Sequence, residues 1–184
     1  MRYFLLFIIT LFAKNIFPQK QIEYKVANNE ADTMQITMTT TRQNVWVTLA
    51  GSGLVTIDWG DGNIHRMERI DNSWGRREYN YNSSASRTIT IIGKNITGLR
   101  VENDNGLTDI DVSKCISLEV LWCHGNNLTT LDVSKNTMLI SLNCSQNKLT
   151  ALNVSNNTDL TLLNCGYNRL TALNVNNNAE LRVD

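Results

Sequence analysis

The stretch Leu118-Glu119-Val120-Leu121-Trp122-Cys123-His124-Gly125-Asn126-Asn127-Leu128-Thr129-Thr130-Leu131-Asp132-Val133-Ser134-Lys135-Asn136 carries one frame twice. Leu-x-x-Leu-x-Cys-x-x-Asn opens at Leu118, and Leu-x-x-Leu-x-Val-x-x-Asn opens at Leu128. The frame returns from Leu139, Leu149, Leu160 and Leu170, so two half-coils make a unit of 21 residues. Leu107, Leu128, Leu149 and Leu170 share that period, each followed by Thr. So do Cys123, Cys144 and Cys165, and so do Val112, Val133, Val154 and Val175. With Asn126, Asn147 and Asn168 these make four columns in one register, which mark a structural repeat.

Physical chemistry turns the frame into a shape. In Leu-x-Cys or Leu-x-Val the two apolar residues point to one side of a short strand, and the residue between them points out. A turn must follow, and the Asn occupies it. Buried turn amides and carbonyls need partners, and an inward Asn offers both a donor and an acceptor. Asn126, Asn147 and Asn168 therefore form one inward column, and Asn136 and Asn157, continued by Asn178, form another. Two strands per coil predict parallel sheets on both faces of a flattened solenoid with little or no helix. One coil cannot bury its own apolar face; about three are needed.

Composition agrees with this. The chain of 184 residues has 25 asparagines, 17 of them from Asn95 onward, and a formal net charge of zero. It lacks the basic excess that phosphate contacts require, so no nucleic-acid partner is expected. The two histidines, His65 and His124, are far apart and show no metal-ligand spacing. Neither a hydrolase elbow, a zincin helix nor a nucleotide-binding loop is present. A binding protein without catalysis or cofactor is expected. A hydrolase is opposed by the shortage of histidine.

Arg2 precedes an apolar run from Tyr3 to Ala13. Eleven residues fit a secretory leader and are too few for a membrane span, which takes about 20. The expected organisation is a leader over 1–19, with cleavage anywhere from Ala13 to Gln21, a linker over 20–32, a β-sandwich over 33–94 and the solenoid over 95–184. No membrane span is expected once the leader is removed.

From Thr33 to Gly93 the texture is different. Short apolar runs alternate with Gly, Asn and Ser clusters, as expected of a small β-sandwich. Ile57-Asp58-Trp59-Gly60-Asp61-Gly62 is its clearest string. Trp59 closes a strand, and Gly-Asp-Gly supplies a tight turn. Asp58 and Asp61 read as turn residues rather than ligands.

The repeat resembles the leucine-rich repeat family, in particular a short bacterial subtype with nested L-x-x-L-x-C-x-x-N and L-x-x-L-D-V-S-x-N units. Leu131-Asp132-Val133-Ser134-Lys135-Asn136 and Leu142-Asn143-Cys144-Ser145-Gln146-Asn147 carry the likeness best. In the degenerate first coil, Leu99-x-Val101 aligns with Leu121-x-Cys123. Trp59-Gly60-Asp61-Gly62 resembles the W-G-D-G marker of PKD-like domains, sandwiches of the immunoglobulin type. Where that family has H-x-Y, this chain has Tyr79-Asn80-Tyr81. Together these resemblances imply a mainly β protein: a small PKD-like sandwich, then about four solenoid coils. They also imply a secreted or cell-surface recognition module that contacts a protein or glycan. The alternative is a structural or assembly element whose open C-terminal coil pairs with another chain.

Candidate contact residues are the outward ones. Trp122 and His124 lie on the Cys-bearing strand, and Trp122 reads either as a ligand contact or as packing against the sandwich. Asp111 and Asp132 form an outward column able to attract a cation or basic partner, or simply a solvated face. Cys123, Cys144 and Cys165 read as inert core thiols, since their parallel side-chain vectors oppose a disulfide. Cys115 replaces an Asn of the second column and reads as a small capping residue or a reactive thiol. The N-x-S/T strings inside the repeat follow from its Asn density, and glycosylation is not inferred from them.

Overall fold

A computed structural model describes residues 33–70 and 73–182. The expected leader (1–19) and linker (20–32) lie outside the described residues. The described chain is mainly β, and it contains no helix. Its strands are β1 Met34–Thr40, β2 Asn44–Gly51, β3 Gly53–Asp58, β4 Ile64–Ile70, β5 Gly75–Asn80, β6 Arg87–Gly93, β7 Ile96–Arg100, β8 Leu107–Asp111, β9 Val120–Trp122, β10 Ser141–Asn143 and β11 Leu162–Asn164.

Two sheets form. The first has the order β4-β3-β6-β1-β8 and is antiparallel throughout. The second has the order β11-β10-β9-β7-β2-β5. Alternation explains the inner faces: Val45, Val47 and Leu49 of β2 and Ile36 and Met38 of β1 point inward at every second position and are buried. Ile57, Ile89, Ile91 and Leu99 join the same core.

Both sheets run on into the repeat. Strand β7 pairs antiparallel with β2 on one side and parallel with β9 on the other. Strand β8, the first strand of the Leu-Thr column, pairs antiparallel with β1. One hydrophobic core therefore continues from the sandwich residues through Leu118, Leu121, Leu128, Val133, Leu142, Cys144 and Leu160. This continuity removes the open edges that a solenoid would otherwise leave beside the sandwich.

The parallel sheet expected on the second face of the solenoid does not form. Strands β9, β10 and β11 stack in register, Leu121 beside Leu142 beside Leu163. The Leu131–Val133 and Leu152–Val154 segments are not strands. Their carbonyls are engaged elsewhere. Val133 O accepts the Asn136 N–H, closing a turn, and also accepts Asn157 Nδ2 at 3.1 Å. The next amide is taken by an outward side chain: Ser134 N donates to Asp132 Oδ1 at 2.9 Å. Asx turns of this kind compete directly with ladder pairing.

Candidate functional site

The two Asn columns are inward and do different chemistry. In the first, the Leu107, Leu128 and Leu149 amides donate to Asn126, Asn147 and Asn168 Oδ1, each at 3.0 Å. The Nδ2 groups bond to carbonyls of their own coil and the coil before it, as Asn147 does to Cys144 and Cys123. In the second, Asn136, Asn157 and Asn178 only donate, each to two carbonyls of the preceding coil. Their Oδ1 atoms are buried without a hydrogen-bond partner.

Sequence reasoning missed a further member of the first column. Asn105 lies 21 residues before Asn126 and precedes the same x-Leu-Thr. It has no coil before it. Instead its Oδ1 accepts the Trp46 amide at 2.9 Å and its Nδ2 donates to the Trp46 carbonyl at 2.8 Å. A solenoid residue thus completes the edge of a sandwich strand.

Cys123 and Cys144 are completely buried and Cys165 is half-buried; all are free thiols. Burial pushes the Cys144 thiol up to about 12 and Cys123 well above its ordinary value, so neither is a thiolate at neutral pH. Cys115 is also buried, pushed up to about 12 by the same cause. Its Sγ contacts the Ile96 carbonyl at 3.4 Å, beneath the first full coil.

Trp59 is buried at the end of β3, its ring stacked on Tyr79 at 4.9 Å. Its carbonyl accepts the Tyr81 hydroxyl at 2.6 Å. Gly60 is required here: φ is +77°, and a Cβ would stand 2.3 Å from the Thr88 carbonyl oxygen. Asp61 accepts the Asn63 amide and the Tyr79 hydroxyl. Burial acts to raise its carboxyl, but the bonds from Tyr79 and Asn63 prevail and hold it below the usual range. Tyr79 thus braces the turn.

The four candidate contact residues fall on opposite outer faces. Asp111 and Asp132 lie on the second face, beside a groove of about 600 Å³ that also includes Thr129, Thr130 and Thr150. Each carboxylate caps its own turn. Hydrogen bonds from the Ser113 side chain and backbone hold Asp111 low, and those from the Ser134 backbone and side chain hold Asp132 low.

Trp122 and His124 lie on the outer face of the six-stranded sheet, and there the structure adds residues that the sequence reading passed over. The Arg100 guanidinium carbon sits 3.9 Å from the Trp74 ring centroid and 4.0 Å from that of Trp122. The cation is sandwiched between two indoles. Trp122 Nε1 donates to Ser141 Oγ at 3.0 Å, which fixes the ring. Arg76 lies over Trp46 at 5.0 Å on the same face. His124 Nδ1 is 3.7 Å from Glu102 Oε2. Two sequence signals point to this cluster. Aligning Leu99-x-Val101 with Leu121-x-Cys123 places Arg100 in the Trp122 column. Gly98 inside a strand marks a close approach, and a Cβ there would meet Trp74 Cη2 at 2.5 Å.

Among the described residues, no three His, Cys, Asp or Glu side chains gather as a metal site would need. No described helix is long and apolar enough to cross a membrane.

No protein-family model matches the chain, and no curated protein matches it. A solved structure does match: the functional domain of InlJ from Listeria monocytogenes, described as including a cysteine ladder. The likeness covers 47% of this chain at 45% identity, with a TM-score of 0.45. The chain spans about a fifth (19%) of the length of that one. Over the matched share the chain is similar to that cysteine-ladder domain, and the comparison does not bear on the PKD-like resemblance.

Proposed function

We propose that this chain is a non-catalytic recognition module of a secreted or cell-surface protein. It binds a protein partner through the outer face of its six-stranded sheet. One observation carries the reading: three of the four tryptophans, Trp46, Trp74 and Trp122, share that face, two of them gripping an arginine. Tryptophan and arginine dominate the energetics of protein interfaces. A rigid sheet holds them with little entropy left to lose on binding. The other elements support this role. The Asn columns and buried Leu, Val and Cys columns fix the backbone, the PKD-like sandwich over 33–94 supplies two of the sheet's six strands, and the leader over 1–19 directs the chain outward. Trp122 and His124 are contact residues, whereas Asp111 and Asp132 serve the opposite face.

The test is selection of phage-displayed random dodecapeptides on the immobilised full chain, with Trp122→Ala as the counter-target. Clones that bind the wild type and lose affinity on Trp122→Ala, at an unchanged melting temperature, are the expected result. Clones that never distinguish the two proteins would overturn the reading.

A further inference from the structure

We propose that Arg100 receives a carboxylate from an acidic segment of the protein partner. This deepens the reading above and rests on it. Arg76 Nη2 is 2.7 Å from Glu78 Oε1, and His124 faces Glu102. Among the described residues no carboxylate contacts Arg100, and its Nε is buried without a hydrogen-bond partner. Arg100 is thus a cation of the outer face with no carboxylate in contact among the described residues.

Its setting suits a carboxylate. Indole rings cover both faces of the guanidinium, so its plane is fixed and only its edge N–H groups can meet a ligand. Planar N–H groups in a fork match carboxylate geometry. Removing water from both faces strengthens the attraction to an incoming anion. Along the neighbouring row of the same face, Gly98–Val120–Ser141–Leu162, Val120 is on the adjacent strand and Leu162 is three strands away. Leu162 is half exposed. An Asp or Glu flanked by apolar side chains complements this layout. A uronate-bearing glycan offers the carboxylate without the apolar flanks.

The experiment extends the selection above. Enriched peptides are synthesised, and their affinity is measured by fluorescence anisotropy on the wild type, Arg100→Gln, Arg100→Lys and Trp122→Ala, with the thermal midpoint of each recorded. Oligogalacturonate is titrated in parallel. The expected result is that enriched peptides contain Asp or Glu. Arg100→Gln then weakens binding about tenfold or more, the scale of one charge-assisted bond. Arg100→Lys restores it only partly, and Glu→Gln in the peptide costs nothing further on Arg100→Gln. Should Arg100→Gln fail to fold, the loss on Arg100→Lys together with the acidic content of the peptides decides the matter. Peptides that depend on Trp122 but ignore both Arg100 variants overturn the carboxylate assignment and leave the recognition face standing. Peptides indifferent to all variants, or no enrichment at all, overturn the recognition face itself. Binding of oligogalacturonate without any peptide overturns the protein partner.

Discussion

Replacing Asn147 by Leu and, separately, Asn157 by Leu should give unequal losses of stability, although both residues are buried asparagines at matching points of successive half-coils. Asn147 makes four bonds. It accepts the Leu128 amide at 3.0 Å and donates to the carbonyls of Cys123, Cys144 and Ser145. Each of those carbonyls keeps another donor: Asn126 for Cys123, Asn168 for Cys144, and the Gly125 amide for Ser145. The Leu128 amide has none, and Leu128 is 0% exposed. Stranding one buried N–H costs about 1–3 kcal/mol. Asn157→Leu strands nothing. Val133 O keeps the Asn136 amide and Asn136 O keeps the Leu139 amide, while the unpaired Asn157 Oδ1 is itself removed. The repacking cost of the larger side chain is common to both variants. Asn147→Leu should therefore be the less stable variant by about 1–3 kcal/mol, or about 2–12 °C in midpoint for a chain of this size. Urea unfolding followed by tryptophan fluorescence measures the difference, and hydrogen exchange at Leu128 locates it. Equal losses, or a greater loss on Asn157→Leu, would refute the distinction between the two columns.

Three further outcomes are expected. Asp132 sits below the ordinary carboxylate value of 3.8 when folded. Its stabilisation is thus complete above the unfolded value and is lost as the pH falls through the folded one. Asp132→Asn, which keeps the turn as Asn153 does for Ser155, should leave stability at pH 7 unchanged and flatten the acid limb below about pH 4; an unaltered acid limb would refute the role of the turn. Gln146 holds φ at +53° where the preceding coil has Gly125 at +69°, so Gln146→Gly should raise stability by about 0.5–1 kcal/mol in thermal melts, and a loss would count against backbone strain there. Titrated with a disulfide reagent at pH 8, native Cys165 should react first, with Cys115, Cys123 and Cys144 protected until denaturant is added, because burial raises Cys165 least and leaves it partly open; early reaction of Cys123 would contradict the packed column.

The legible part of the molecule is periodic. Leu121, Cys123 and Asn126 could be placed from spacing alone, since each touches its own copies one coil away. The second face was misjudged although its apolar positions are right: Leu131 and Val133 are inward, but the Asx turn at Asp132 and the Asn157 donor occupy the groups that a sheet would use. Spacing shows where a side chain points, and not which of two competing acceptors its backbone amide takes.

The candidate surface has the opposite character. Trp122 and its outward direction followed from the frame. That it grips Arg100 together with Trp74 did not, because Trp74 is outside the repeat and no period relates it to Arg100 or Trp122. Asn105 shows both halves of the problem: the repeat column assigns it an inward amide, and only the neighbouring β2 supplies the partner. Contacts between translational copies are written in the chain as a period. Contacts between a repeat and a non-repeating neighbour depend on how β7 joins β2 to β9 within one sheet, a geometry set by the core of the whole molecule rather than by any local pattern.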